Sequence, residues 1–246
     1  MGAPTNLLTP ASQGRIGGLD FLRGVAIIIM FIDHLTIYTT FEQIAPFNVR
    51  FFTRLAAPLF AIIFGYFLAR PKMDVLGRML TLLPAVFIVN IFFWPVLSVL
   101  DILASFTLAL VAYLAFSEYG VIAISLIFML MGGADPTMNF LDYPLFVFLP
   151  LVSIGLLLKK DKNASLFALA AFLAAAALLN FPAPYNYTAY FALPAYALVV
   201  VFEGRKNFKM PFLNFVGARP VVSYVAQFVI AISLALLYHL YLKPLP

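Results

Sequence analysis

The chain has 246 residues, 64% hydrophobic and only 10% charged, with a mean hydropathy of +1.04 and a net charge of +5. A helix that crosses a bilayer needs about 20 mostly apolar residues; such runs follow one another along the sequence, which excludes a water-soluble domain and leaves no hydrophilic stretch for a second one. Zero cysteines exclude disulfides, thiol catalysis and Cys-ligated metals, two histidines are too few for a polyhistidine metal site, and the basic residues sit between apolar runs, where membrane topology rather than nucleic-acid binding accounts for them.

Residues 1–14 are small and polar, lack the basic n-region and A-x-A exit of a cleaved signal, and are expected to be loosely ordered. The first apolar segment covers about 19–39 and the second about 51–69, with a loop from Phe41 to Arg50 that carries Glu42 and Pro46. Arg70, Pro71, Lys72, Asp74 and Arg78 make a basic turn into a third segment, about 76–97, which Pro84 is expected to kink. Asp101 opens a fourth segment, about 101–116, and Ser117 to Gly120 turns into a fifth, about 120–132. Gly132 to Pro136 is a breaker. A sixth segment, about 143–158, ends in Lys159, Lys160, Asp161 and Lys162, and an Ala-rich seventh covers about 164–179. Pro182 and Pro184 precede an eighth, about 187–202, and a basic loop from Glu203 to Lys209 leads to the last, about 212–242. That last stretch holds one helix plus an interfacial or re-entrant stub, divided near Gly217 and Pro220. The expectation is an all-α, polytopic membrane bundle of about 9–10 transmembrane helices.

Charge supports the order of segments. With residues 1–18 cytoplasmic and 19–246 forming one transmembrane domain, the inner connections hold Arg70, Lys72, Arg78, Lys159, Lys160, Lys162, Arg205, Lys206 and Lys209. The outer ones hold mainly Glu42, Asp101, Asp135 and Asp142, with Arg50 and Arg54 as exceptions. That is the positive-inside pattern.

The first apolar segment nonetheless contains Asp20, Arg23, Asp33 and His34. Arg23 and His34 are spaced by three turns plus about 20°, so they share a helix face roughly 16 Å apart along the axis. A charge inside a membrane helix costs about 2.5–3.5 kcal/mol on insertion scales, so such residues face a cavity or a partner. A plainer reading has Arg23 snorkelling to the interface and His34 as a hydrogen-bonded packing residue. Asp33 points about 100° away from His34 and is expected to face another helix. Asp20, three residues before Arg23, is expected to cap the helix or pair with it.

The stretch LDFLRGVAIIIMFIDH, Leu19 to His34, resembles the opening motif of the transmembrane acyltransferase superfamily, which includes acyltransferase-3, heparan-glucosaminide N-acetyltransferase-like and TraX-like proteins. FTRLAAPLFAIIFGYFLARP (Phe52 to Pro71) is similar to the second helix of that group, and GRMLTLLP (Gly77 to Pro84) to its basic approach to the third. DYPLFVFLPLVSIGLLL (Asp142 to Leu158) resembles a further segment of the heparan branch, and the Asp33-His34 pair and chain length are more like TraX.

The resemblance implies an acyl-CoA-dependent enzyme, with acetyl-CoA as donor and no metal. His34 is then the base that takes a proton from an acceptor hydroxyl or amine as it attacks the thioester, with Asp33 as its companion. Arg23 belongs to the coenzyme A site, where guanidinium suits phosphate, and Arg70, Lys72 and Arg78 extend that cradle; topology alone also predicts basic residues there. Arg54, Tyr66 and Gln227 are the implied substrate contacts. Phe64 stands where many relatives carry serine, and Gln227 where many carry a histidine. Gly65 is expected to allow close helix approach. Implied partners are the bilayer and a glycan or protein acceptor; homo-oligomerisation stays open. Two rivals share these residues: a small transporter or channel using Arg23, Asp33 and His34 as a relay, and a catalytically silent scaffold.

Overall fold

The computed structural model describes residues 16–39, 49–70 and 74–242. The expectations for residues 1–14, for Glu42 and Pro46 and for Lys72 lie outside these described residues. The helices are α1 Gly17–Tyr38, α2 Val49–Thr53, α3 Ala56–Leu68, α4 Val75–Leu97, α5 Ile102–Met131, α6 Leu145–Lys160, α7 Lys162–Leu178, α8 Tyr185–Glu203, α9 Pro211–Ala218 and α10 Pro220–Leu237. Two 3-10 turns (Gly132–Ala134, Pro136–Asn139) precede α6, and a short π turn follows α10. Among the described residues six stretches are long and apolar enough to cross a membrane. The protein is a multi-pass, all-α membrane bundle.

Backbone N–H groups at helix starts cannot be left bare in lipid, and aspartates meet several of them. Asp74 accepts from Gly77 N at 2.8 Å, Asp101 from Leu103 N at 3.0 Å and Asp161 from Asn163 N at 2.8 Å. These three start α4, α5 and α7, so three of the ten acidic residues of the chain serve as helix caps. α4 runs as one helix through Pro84 and Pro95, and its outer face (Phe87, Ile91 and Trp94 among others) is exposed.

α5 is folded back on itself. Ser117 has φ 58° and ψ −172°, outside the helical region. Leu100, just before α5, bridges Leu141, just beyond it, whereas Glu118 pairs with Lys160 at the far end of α6. The two halves of α5 therefore run in opposite directions, as the turn expected at Ser117 to Gly120 requires. This sorts the bundle into a basic end, with Arg23, Arg70, Lys160 and Arg205, and an acidic end, with Asp33, Asp101, Asp135 and Asp142.

α6 sits in the middle, buried from Phe146 to Leu156 without a break. Its closest crossing is with α3: a Cβ on Gly65 would lie 2.0 Å from the Val152 carbonyl oxygen, and one on Gly155 2.0 Å from that of Ile62. Only glycine lets two helix backbones come so near. α9 is the expected stub. It lies on the start of α1 through a similar pair, Gly24 against Leu213 and Gly217 against Asp20. The chain breaks at Arg219, and α10 then runs beside α1 to the acidic end, where His239 donates from Nε2 to Tyr38 O at 2.8 Å.

Candidate functional site

The glycine contacts between α1 and α9 fix Arg23 at the basic end. Its Nη1 lies 3.1 Å from Asp20 Oδ1, the pairing expected from their spacing. Arg23 and Arg70 each stand 4.0 Å from the centroid of the Phe67 ring, and Arg78 is close enough to repel both. Burial, with Arg78 beside it, pulls Arg70 below the ordinary arginine value. Three guanidinium groups thus gather, Arg23 and Arg70 near Asp20 and Arg78 near Asp74.

A cavity of about 290 Å³ opens beside them. Arg23, Arg78 and Thr81 line one part; Phe60, Phe64, Phe106 and Leu103 make apolar walls; Met30 and Tyr224 also line it. Met30 is one helical turn before His34 on α1, and the Tyr224 ring meets the His34 ring edge-on at 5.9 Å. The cavity therefore joins the cationic cluster to the wall of the histidine's own chamber.

His34 is 4% exposed. Phe93, Tyr224 and Phe228 surround its ring, the last at 5.0 Å. Its Nδ1 lies 3.4 Å from Gln227 Oε1 and 3.2 Å from Nε2. When Nδ1 carries the proton and donates to the amide oxygen, Nε2 keeps the lone pair that a base needs. Asp33 faces α2, accepting from Thr53 Oγ1 at 2.5 Å. Next to Thr53, the buried Arg54 donates to the Tyr143 hydroxyl at 3.1 Å, with Asp142 and Asp33 in coulombic reach. Burial pushes Tyr143 above the ordinary tyrosine value.

Sequence reasoning missed Asp101 and Tyr224. Tyr224 donates to Asp101 Oδ2 at 2.5 Å, and Asn90 Oδ1 accepts from the Asp101 N–H at 2.8 Å. Asp101, 1% exposed, lies in the connection between α4 and α5, and burial pushes its carboxyl up to about 7. Two signals were available: an aspartate at a helix start inside a membrane, and a tyrosine three residues before Gln227 and so on its face.

The structure brings His34 together with Gln227, places Asp33 and Arg54 beside that chamber, and collects Arg23, Arg70 and Arg78 at the other end. It separates Tyr66 from the other implied substrate contacts. Tyr66 lies at the basic end, its ring 5.2 Å from Lys159 Nζ, about 18 Å along the helix from Arg54. Among the described residues no group of three His, Asp or Glu is arranged to hold a metal.

A comparison with protein-family models matches residues 18–216 to the TraX protein family. The chain belongs to the TraX family. The match takes in the basic cluster, Asp33, His34, Arg54 and Asp101, and stops before α10. In this TraX-family protein, Gln227 and Tyr224 therefore come from beyond the matched residues. Comparisons with curated proteins and with solved structures return no match.

Proposed function

We propose that this TraX-family protein is a membrane acyltransferase, related through its opening motif to the wider transmembrane acyltransferase superfamily. It moves an acyl group, acetyl in the first instance, from acyl-CoA to an acceptor hydroxyl or amine on a glycan or protein. The observation that carries this reading is the cavity that runs from Arg23 and Arg78, with Arg70 beside Arg23 on the Phe67 ring, to the wall of a buried histidine. Coenzyme A is a phosphate-bearing head on a long thin arm. Guanidinium groups hold phosphate through paired, charge-assisted hydrogen bonds, and the roughly 16 Å from Arg23 to His34 suits such an arm. The positive-inside rule puts the basic end, and with it the N-terminus, at the cytoplasmic face of the cell membrane, where acyl-CoA is found.

In this reading Arg23, Arg70 and Arg78 hold the head. His34, oriented by Gln227, takes the acceptor's proton, and Arg54 and Asp33 border the route by which the acceptor arrives. The test is acetyl-CoA binding and hydrolysis by purified protein in detergent. His34→Ala is expected to lower turnover by about 10²–10⁴-fold and to leave affinity nearly unchanged. Arg23→Ala is expected to do the reverse. If wild type binds no acetyl-CoA, the reading fails, and ion flux in proteoliposomes would then favour a relay.

A further inference from the structure

Tyr224 belongs to two places at once. It lines the cavity, and its ring packs edge-on against His34. If acyl-CoA enters from the arginines and the acceptor is deprotonated at His34, the thioester carbonyl is attacked where these places meet. Negative charge then develops on the carbonyl oxygen, which needs a fixed hydrogen-bond donor. The apolar cavity walls, Phe60, Phe64, Phe106 and Leu103, offer none. The other polar side chains of the lining, Arg23, Arg78 and Thr81, are committed to the opposite end.

We infer that the Tyr224 hydroxyl is the donor that meets this oxyanion, with Asp101 as the positioning residue that sets which way the hydroxyl points. The inference rests on the acyltransferase reading above. In the step, the acceptor nitrogen or oxygen forms a bond to the carbonyl carbon and its proton passes to His34. The carbonyl electron pair moves onto oxygen and is met by Tyr224. Collapse breaks the carbon–sulfur bond, and the departing thiolate takes the proton from His34.

Asp101 controls the donor because its carboxylate, when ionised, accepts the Tyr224 proton at 2.5 Å and holds it away from the cavity. When neutral, Asp101 donates to the tyrosine oxygen instead, and the tyrosine proton is released toward substrate. The groups facing Asp101 are Tyr224 on α10, Asp142 from the connection before α6, Tyr38 on α1, Asn90 on α4 and the Leu103 N–H on α5, with Tyr143 acting on Tyr224. Burial holds its carboxyl up to about 7, so the switch operates near neutrality and turnover falls above that range.

The test uses the full chain in detergent with acetyl-CoA as the probe. Tyr224→Phe keeps the ring against His34 and removes only the hydroxyl; kcat should fall about 100-fold or more while acetyl-CoA affinity stays within about twofold. Asp101→Asn cannot ionise, so the fall in kcat above pH 7 should vanish from its profile. Wild-type rates in Tyr224→Phe, or a wild-type alkaline limb in Asp101→Asn, would overturn the inference while leaving the acyltransferase reading intact. Should Tyr224→Phe not fold, the Asp101→Asn profile decides alone. A wild type that binds no acetyl-CoA overturns both.

Discussion

At the basic end three guanidinium groups stand against two carboxylates, Asp20 beside Arg23 and Arg70 and Asp74 beside Arg78; at the acidic end one guanidinium, Arg54, is closed in among Asp33, Asp142 and the Tyr143 hydroxyl. The first arrangement keeps a surplus of positive charge beside a cavity. The second is closed by its own hydrogen bonds, and beside it His34 is tied to Gln227 and Tyr224 to Asp101. Surplus charge at an opening is a capacity to draw an anion in. A closed, hydrogen-bonded network instead holds side chains in fixed orientations. On the acyltransferase proposal, the two ends divide recognition from chemistry.

The largest effect should come from removing the cation of the closed end. Arg54→Met strips the cation from between two acids, and breaking such a buried set costs about 3–5 kcal/mol; thermal unfolding in detergent reads the loss, and an unchanged melt would show that the acids are compensated elsewhere. Next is Gly217→Val. A Cβ there lies 1.7 Å from the Asp20 carbonyl oxygen, so α9 must lift off α1, at about 3 kcal/mol, the upper part of the overpacking range. Acetyl-CoA affinity should drop with it, and retention of wild-type affinity would detach the α9 seat from the basic site.

A smaller effect is pH-dependent. Asp101 has a folded-state value raised above its ordinary one by burial, so the stability of its neutral form is fully present below the ordinary carboxylate range and is lost as pH rises through about 7. Melting temperature should decline over that window in wild type and not in Asp101→Asn; parallel curves for the two proteins would exclude Asp101 as the group responsible. Smallest is Arg78→Ala at the open end. Arg78 is exposed, so affinity for acetyl-CoA should weaken by only about two- to fivefold. That difference should shrink in molar salt as screening sets in, and a salt-independent difference would argue for a packing role.

Much of the fold was legible because apolar runs, Gly-Pro breakers and alternating charge all report on one variable, membrane crossing. The turn at Ser117, the break before Pro220 and the close approach at Gly65 came directly from such local signals. The pairing of Arg23 with Asp20 and the turn of Asp33 toward a second helix followed from helix periodicity alone. The partnership of Asp101 with Tyr224, 123 residues apart in sequence, did not, because each residue had an adequate local explanation: one as a helix cap, the other as membrane aromatic. Tyr66 was grouped with Arg54 for a related reason. Motif adjacency says that two residues share a helix but not that they share an end of it.

The enclosure of α6 sets an order on biogenesis. Sixteen residues span about 24 Å, less than the roughly 30 Å hydrocarbon layer, and the described helix is buried over most of its length. Its neighbours α3 and α5 leave the ribosome before it, but α7, whose Ser165 hydroxyl donates to the Ile154 carbonyl at 2.9 Å, leaves after it. During synthesis α6 must therefore wait against α3 and α5 with one side open to lipid until α7 arrives. A nascent chain halted before α7 should accordingly be the stage most readily bound by membrane chaperones.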